Sequence, residues 1–359
     1  MLLKNKQFFT ALLPAALLIA SCGGGTQNTP NNNDTTNTNQ SASRPAAILD
    51  ADLGSSTDDL FAMMMLYDAH KQGKIDFKAL MINREGLEYL QCADIMNTYY
   101  GFADLPIGKT HDAPKNTPVF IPYWKMSKPE EYKDMPVFKR TYTDEQLQQL
   151  PDAETLYRKI LASEPDTSVL IFSTGFPTNI AHLLDTKADS FSDLDGIALV
   201  KKKVKAMYIM GGEIAPNDTP EPEYNLKQDP ENALTMINKW PSKIYFSPGA
   251  TGHKIDYTPE CVIADQTKYK LEDSPICMTY KLFECNTGQR MWDACAIQQY
   301  LHPEFYQMSA PAKYTVNNDM VLIKEPGTLH FMTYTETAEQ DSIILKHIRE
   351  TAHGGLQRQ

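Results

Sequence analysis

Residues 44–359 predict one α/β domain, a mostly parallel central sheet flanked by helices, and three observations predict it. Short apolar runs of strand length recur at 77–83 (FKALMIN), 168–173 (SVLIFS), 205–210 (KAMYIM) and 243–247 (KIYFS). Runs of that kind mark strands buried on both faces. The stretches between them carry helical spacing and helix-start residues, the alternation of βαβ crossover units. Acidic and amide residues gather just after the runs, where open α/β sheets bind ligands.

The stretch 48–65, ILDADLGSSTDDLFAMMM, organises the rest. Its apolar start, 45–49, is short enough for a buried strand, and Thr57-Asp58-Asp59 ahead of Leu60, Met63, Met64 and Tyr67 has the spacing of a capped amphipathic helix. Alternation along the strand puts Asp50 and Asp52 on one side, and Gly54 permits a turn that returns Asp58 and Asp59 beside them. So many converging carboxylates would repel or take up protons, and a bound cation resolves the conflict. Oxygen ligands without nearby histidine or cysteine favour Ca²⁺ or Mg²⁺. The plain alternative is that these aspartates cap a helix and face solvent.

This aspartate pattern resembles the N-terminal motif of the inosine-uridine-type nucleoside hydrolases, in the longer variant with two extra residues between the glycine and the paired aspartates. Further pieces follow in family order. Thr174-Gly175-Phe176-Pro177-Thr178-Asn179 is similar to the family's G-P-L-T-N turn with its centre altered. Met210-Gly211-Gly212, Asn217, Pro220, Glu223-Tyr224-Asn225 and Asp229-Pro230-Glu231 resemble its M-G-G, N, P, E-F-N, D-P-E succession. Asp293 resembles its last metal-binding aspartate. The resemblance spans about residues 46–305 and implies a nucleoside hydrolase-like, Rossmann-like single domain.

The resemblance also implies roles. Ca²⁺ would be held by Asp52, Asp59, Asp293 and the carbonyl of Thr174, with Asp52 also removing a proton from water. Asp58, Asn217, Glu223 and Asn225 would grip the ribose hydroxyls, and Asp50 would orient its neighbours. Asn83 or Arg84 falls where the family has a site asparagine, Asn83 being the one assigned to substrate. Met210, Tyr224 and Trp292 complete the substrate set. Trp292 stands where many members carry a histidine, and an indole can stack on a base but cannot protonate it.

The reaction implied is hydrolysis of a ribonucleoside to ribose and free base. A non-catalytic nucleoside- or pentose-binding lipoprotein is the alternative, motivated by Trp292 and by Ser55-Ser56 inside the acidic loop. A structural or adhesion protein would bind neither Ca²⁺ nor nucleoside.

With 34 basic and 45 acidic side chains and a net charge of −11, the chain repels nucleic-acid polymers but not an uncharged nucleoside. Residues 1–22, with Lys4 and Lys6 before an apolar stretch and Ile19-Ala20-Ser21-Cys22 resembling a lipobox, read as a lipoprotein signal whose Cys22 is lipidated. Residues 23–43 are polar and read as a flexible tether. The expected location is therefore the bacterial cell envelope, periplasmic or outer-surface, with the lipid as sole membrane contact. The oligomeric state stays open, a homo-oligomer included.

Five cysteines follow Cys22, an odd number without CxxC spacing, and read as small buried residues. The aromatic, proline-rich insertion 111–150 is either a lid over a base or a patch packed on the core. The segment 319–334 reads as an edge hairpin turning at Glu325-Pro326-Gly327. No Walker-type GxxxxGK and no GxSxG occurs.

Overall fold

The computed structural model describes residues 44–354 apart from 55, 116, 118–122, 133–135, 214–221, 272–273 and 283–287. The proposed signal and tether with Cys22, together with Ser55, Asn217, Pro220 and Cys285, lie outside the described residues.

Strands β1 (Ala46–Ala51), β2 (Asp76–Ile82), β3 (Ile107–Lys109), β4 (Val169–Ser173), β5 (Val204–Met210) and β6 (Lys243–Ser247) are followed by short β7 (Asp256–Tyr257), β8 (Gln289–Arg290) and β9 (Gln307–Met308), then β10 (Ala312–Val316) and β11 (Leu322–Tyr334). The helices are α1 (Asp58–Lys71), α2 (Leu87–Tyr99), α3 (Asp144–Gln148), α4 (Ala153–Ser163), α5 (Thr178–Asp185), α6 (Gly196–Lys203) and α7 (Tyr224–Gln228). After these come α8 (Pro230–Lys239), α9 (Gly249–His253), α10 (Pro259–Tyr269), α11 (Pro275–Leu282), α12 (Trp292–Leu301) and α13 (Ala338–Gly354). The main sheet runs β10-β11-β6-β5-β4-β1-β2-β3, parallel from β11 through β3, with β10 and β9 antiparallel to β11. The expected mostly parallel sheet is present, and β1 lies inside it between β4 and β2.

Each face of the sheet carries an apolar layer. Alternation in β1 sends Ala47, Leu49 and Ala51 to the layer that includes α1, α2, α12 and α13, and Ala46 and Ile48 to the layer with α4, α5, α6 and α8. Both layers are buried, and a fully buried leucine such as Leu49 contributes about 2 kcal/mol. The same alternation decides the fate of Asp50: it points with Ala46 and Ile48, toward α4 and α5.

Two expectations need correcting. Helix α1 is not amphipathic, since Asp58 through Ala69 are all buried between the sheet and α12 and α13. Its Thr57 makes no side-chain cap; the hydroxyl donates to Gln289 instead. The C-terminal hairpin turns at 317–321, where Asn317 and Val321 are bonded, and not at Glu325-Pro326-Gly327. The latter is a bulge within β11, across which the partner register jumps from Lys313↔Glu325 to Ala312↔His330. Nor is β11 an edge: past the bulge it pairs in parallel with β6, leaving β10 outermost.

Of the four described cysteines Cys92, Cys277 and Cys295 are buried, and no disulfide joins any two of the four.

Candidate active site

Strands β1, β4 and β5 and the helices that follow them open onto a cavity of about 510 Å³. Nine of the residues singled out in the sequence line it: Asp52, Asp58, Thr174, Met210, Glu223, Tyr224, Asn225, Trp292 and Asp293. Asp59 lies beneath, with Asp52, Asp59 and Asp293 each offering a carboxylate oxygen within 4.8 Å of the others. All three are buried.

Local backbone explains how residues 241 positions apart come together. Asp52 leaves the end of β1, and Gly54, at φ 126°, turns the chain so that Asp59 enters the first turn of α1. Asp293 enters the first turn of α12, which packs against α1. Asp58 ties the two helices: its Oδ2 accepts the backbone N–H of Asp293 at 3.1 Å. The helix starts thus aim their positive ends at the carboxylates. Gly175 is required for another reason, since a Cβ there would sit 2.4 Å from the backbone nitrogen of Asp52.

Burial dominates the electrostatics. It raises the carboxyls of Asp59 and Asp293 well above the usual range, and the neighbouring aspartates add to the effect. Asp58 is pushed to about 6 by burial, and Glu223 to about 7. For Asp52, burial raises the carboxyl while Arg84 opposes the rise. Asp59 Oδ1 is buried with no hydrogen-bond partner. An all-carboxylate, water-poor cluster with an orphaned oxygen fits a hard divalent cation, which supplies the missing positive charge.

The remaining predicted residues fall into two groups. Glu223 caps α7, its Oε2 accepting the Leu226 N–H at 2.8 Å, which leaves Oε1 unpartnered. The Asn225 amide donates to the Thr174 carbonyl at 3.3 Å, placing that carbonyl beside the cavity wall. Asn83 does not line the cavity. Its amide is committed to Asp50 Oδ1 at 2.7 Å and to the Phe176 carbonyl at 3.2 Å. Asp50 likewise stands apart from the cluster, held by Asn83, by Asn179 at 3.1 Å and by the Tyr157 hydroxyl at 2.9 Å.

A family model for inosine-uridine preferring nucleoside hydrolase matches residues 47–342. The chain belongs to that family. As a nucleoside hydrolase it is an N-ribosyl hydrolase, and solved structures share its fold. A purine-preferring ribonucleoside hydrolase from Gardnerella vaginalis is 13% identical, covering 88% of this chain and all of that one at a TM-score of 0.63. A plant nucleoside hydrolase is 16% identical, covering 86% and 99% at 0.62. An inosine-uridine preferring enzyme from Bacillus anthracis is 10% identical, covering 86% and 99% at 0.60. No curated protein matches by sequence.

In this nucleoside hydrolase three residues of the site were not singled out from sequence, or were left as an alternative. Arg84 donates from Nη2 to Asp52 Oδ2 at 2.9 Å and from Nε to the Asp52 carbonyl at 2.8 Å. Gln289 on β8 donates to the Ser56 hydroxyl at 2.8 Å and to Asp58 at 3.4 Å. Tyr123, from the aromatic insertion, donates its hydroxyl to Asp59 at 3.4 Å and accepts the Gly54 N–H. Tyr123 is fully buried, so this part of the insertion packs on the core. Only the insertion's composition hinted at such a role.

Arg84→Gln should lower cation affinity or turnover by about 10- to 100-fold, because an ion ligand would lose the group that fixes its orientation. Calcium titration of thermal stability alongside initial rates checks this. Unchanged values in both would show that the ion pair is incidental.

Proposed function

We propose that the chain carries out Ca²⁺-dependent hydrolysis of the N-glycosidic bond of ribonucleosides, releasing ribose and a free base. The observation that supports it is the cavity's mixed lining: the carboxylates of Asp52, Asp58, Glu223 and Asp293 and the amide of Asn225, together with the apolar and aromatic surface of Trp292, Tyr224, Met210 and Ala250. A polyhydroxylated sugar needs each hydroxyl satisfied once water is excluded, and a base needs apolar surface. Asp52, Asp59, Asp293 and the Thr174 carbonyl would hold the ion. When bound, Ca²⁺ offsets the clustered negative charge and acidifies a water.

Asp52 would accept a proton from the attacking water, using the oxygen that Arg84 does not occupy. Asp58, Glu223 and Asn225 bind ribose hydroxyls, and Asn217 is assigned with them from the sequence. Where ionised, the carboxylates of Asp58 and Glu223 favour the cationic sugar of the transition state. Trp292 donates its indole N–H to the Gly249 carbonyl at 3.1 Å, which fixes the ring as a stacking surface. His253, with its ring centroid 6.3 Å from that of Trp292, is the imidazole that lines the cavity. We assign it protonation of the departing base, in the place of the histidine that Trp292 supplants. The lipobox ending at Cys22 would set this chemistry at the cell envelope.

The test is a reducing-sugar assay over purine and pyrimidine ribonucleosides, with and without EGTA, for the parent chain and His253→Gln. Ribose release that EGTA abolishes supports the reading, and a 10²- to 10⁴-fold loss in His253→Gln, as expected for a general acid, supports the assignment. Calorimetric binding of nucleoside with no sugar released would instead select the capture role.

A further inference from the structure

A second group of metal-ligating side chains converges where the loop after β3 meets α4 and α5. His111 follows β3, Glu154 lies in the first turn of α4, and His182 lies in α5. Each offers a ligand atom within 4.8 Å of the others. None of them lines the proposed active-site cavity. We propose that these three residues bind a borderline divalent metal ion of the Zn²⁺ type, separate from the carboxylate cluster.

Two features of the group point to an ion in place of a network of hydrogen bonds. His111 Nδ1 stands 3.7 Å from Glu154 Oε1, too far for a hydrogen bond but close to the spacing of two ligands about 2.0–2.1 Å from one ion. Glu154 Oε2 and His182 Nδ1 are both buried with no hydrogen-bond partner. Closing fully onto a tetrahedral ion brings ligand atoms that now lie within 4.8 Å of one another to about 3.4 Å.

The donor set chooses the metal. Two imidazoles and one carboxylate suit Zn²⁺ and its neighbours and are poor ligands for Ca²⁺, the reverse of the all-oxygen cluster. The His111 side chain is 44% exposed, which leaves room for water as the fourth ligand. Helix geometry gives the ion a positioning role. Glu154 and Tyr157 share a face of α4, and Asn179 and His182 share a face of α5, each pair three residues apart. Tyr157 and Asn179 both hold Asp50, so the ion would brace α4, α5 and the loop after β3 one turn beyond that clamp.

The experiment uses the full chain, stripped with EDTA and then kept in excess Ca²⁺ so that the carboxylate cluster is filled. Co²⁺ is titrated in, followed by its ligand-field absorption, and Zn²⁺ is then used to displace it. The expected result is one equivalent of Co²⁺ with the intense spectrum of a four-coordinate ion. His182→Ala and Glu154→Gln should each weaken it at least tenfold, and Asp293→Asn should leave it unchanged. His111→Ala, on an exposed loop where folding is not at stake, should weaken it likewise. Zn²⁺ at a hundredfold excess over its Kd for the parent should raise the parent's thermal midpoint by a few degrees and that of His111→Ala by no more than about half as much. Absence of Co²⁺ binding in Ca²⁺, unaltered affinity in His111→Ala, or loss of binding in Asp293→Asn would overturn the proposal.

Discussion

Asp52→Asn should lower ribose release by at least about 10³-fold while leaving the fold intact. The removal of a general base alone accounts for about 10²- to 10⁴-fold. This side chain would also hold the ion, so the two losses combine. Asparagine is the better probe than alanine for a reason visible at Arg84. That guanidinium is only 4% exposed and donates to Asp52, so truncation would leave a buried cation facing an emptied space, at a cost of several kcal/mol. The amide keeps an acceptor for Arg84 and removes the basicity. A circular-dichroism melt matching the parent, paired with lost turnover, is the expected combination; full turnover in a folded Asp52→Asn protein would end its assignment as base.

The variant also separates two roles that geometry joins. If Asp52 acted only through the ion, raising Ca²⁺ would restore the rate, because the lost affinity is overcome by mass action. A rate that stays low at saturating Ca²⁺ isolates the proton-accepting role.

Much of this arrangement was legible in the sequence because it depends on local periodicity. Strands β1, β2, β4, β5 and β6 follow apolar runs bounded by polar residues, and the structure shifts their ends by no more than about two positions. Asp52, Asp58, Glu223, Asn225 and Asp293 each sit at a strand end or helix start that the chain announces within a few residues, and the structure gathers them around one cavity. What the sequence concealed is long-range. Gln289 meets Ser56 and Asp58 across more than 230 residues, and Tyr123 reaches Asp59 from a segment without periodicity. No local pattern encodes such contacts. The C-terminal turn was misplaced because Pro326-Gly327 is strong turn chemistry, yet a bulge uses the same residues. Asn83 and Arg84 could not be separated by spacing alone. Only the structure shows that the first serves Asp50 and the second Asp52.

EGTA should abolish turnover reversibly, with activity returning on addition of Ca²⁺, and it should lower the thermal midpoint by several degrees. Two ionised carboxylates whose oxygens lie no more than 4.8 Å apart repel by at least roughly 3 kcal/mol at an effective dielectric of 20, and three of them with Asp58 beside them multiply the strain. Without a cation they relieve it by taking up protons, as the raised carboxyls of Asp59 and Asp293 indicate, and a protonated carboxyl is a poor ligand and a poor base. Ca²⁺ at a hundredfold excess over its Kd would stabilise the fold by about 2.7 kcal/mol. Asp293→Asn gives the decisive comparison. One ligand fewer should demand at least tenfold more Ca²⁺ for half-maximal activity and for half of the thermal shift. Because both readouts report one binding event, they should move together. Activity insensitive to EGTA, or a thermal shift that survives Asp293→Asn unchanged, would place the functional ion elsewhere and remove the carboxylate cluster from the chemistry.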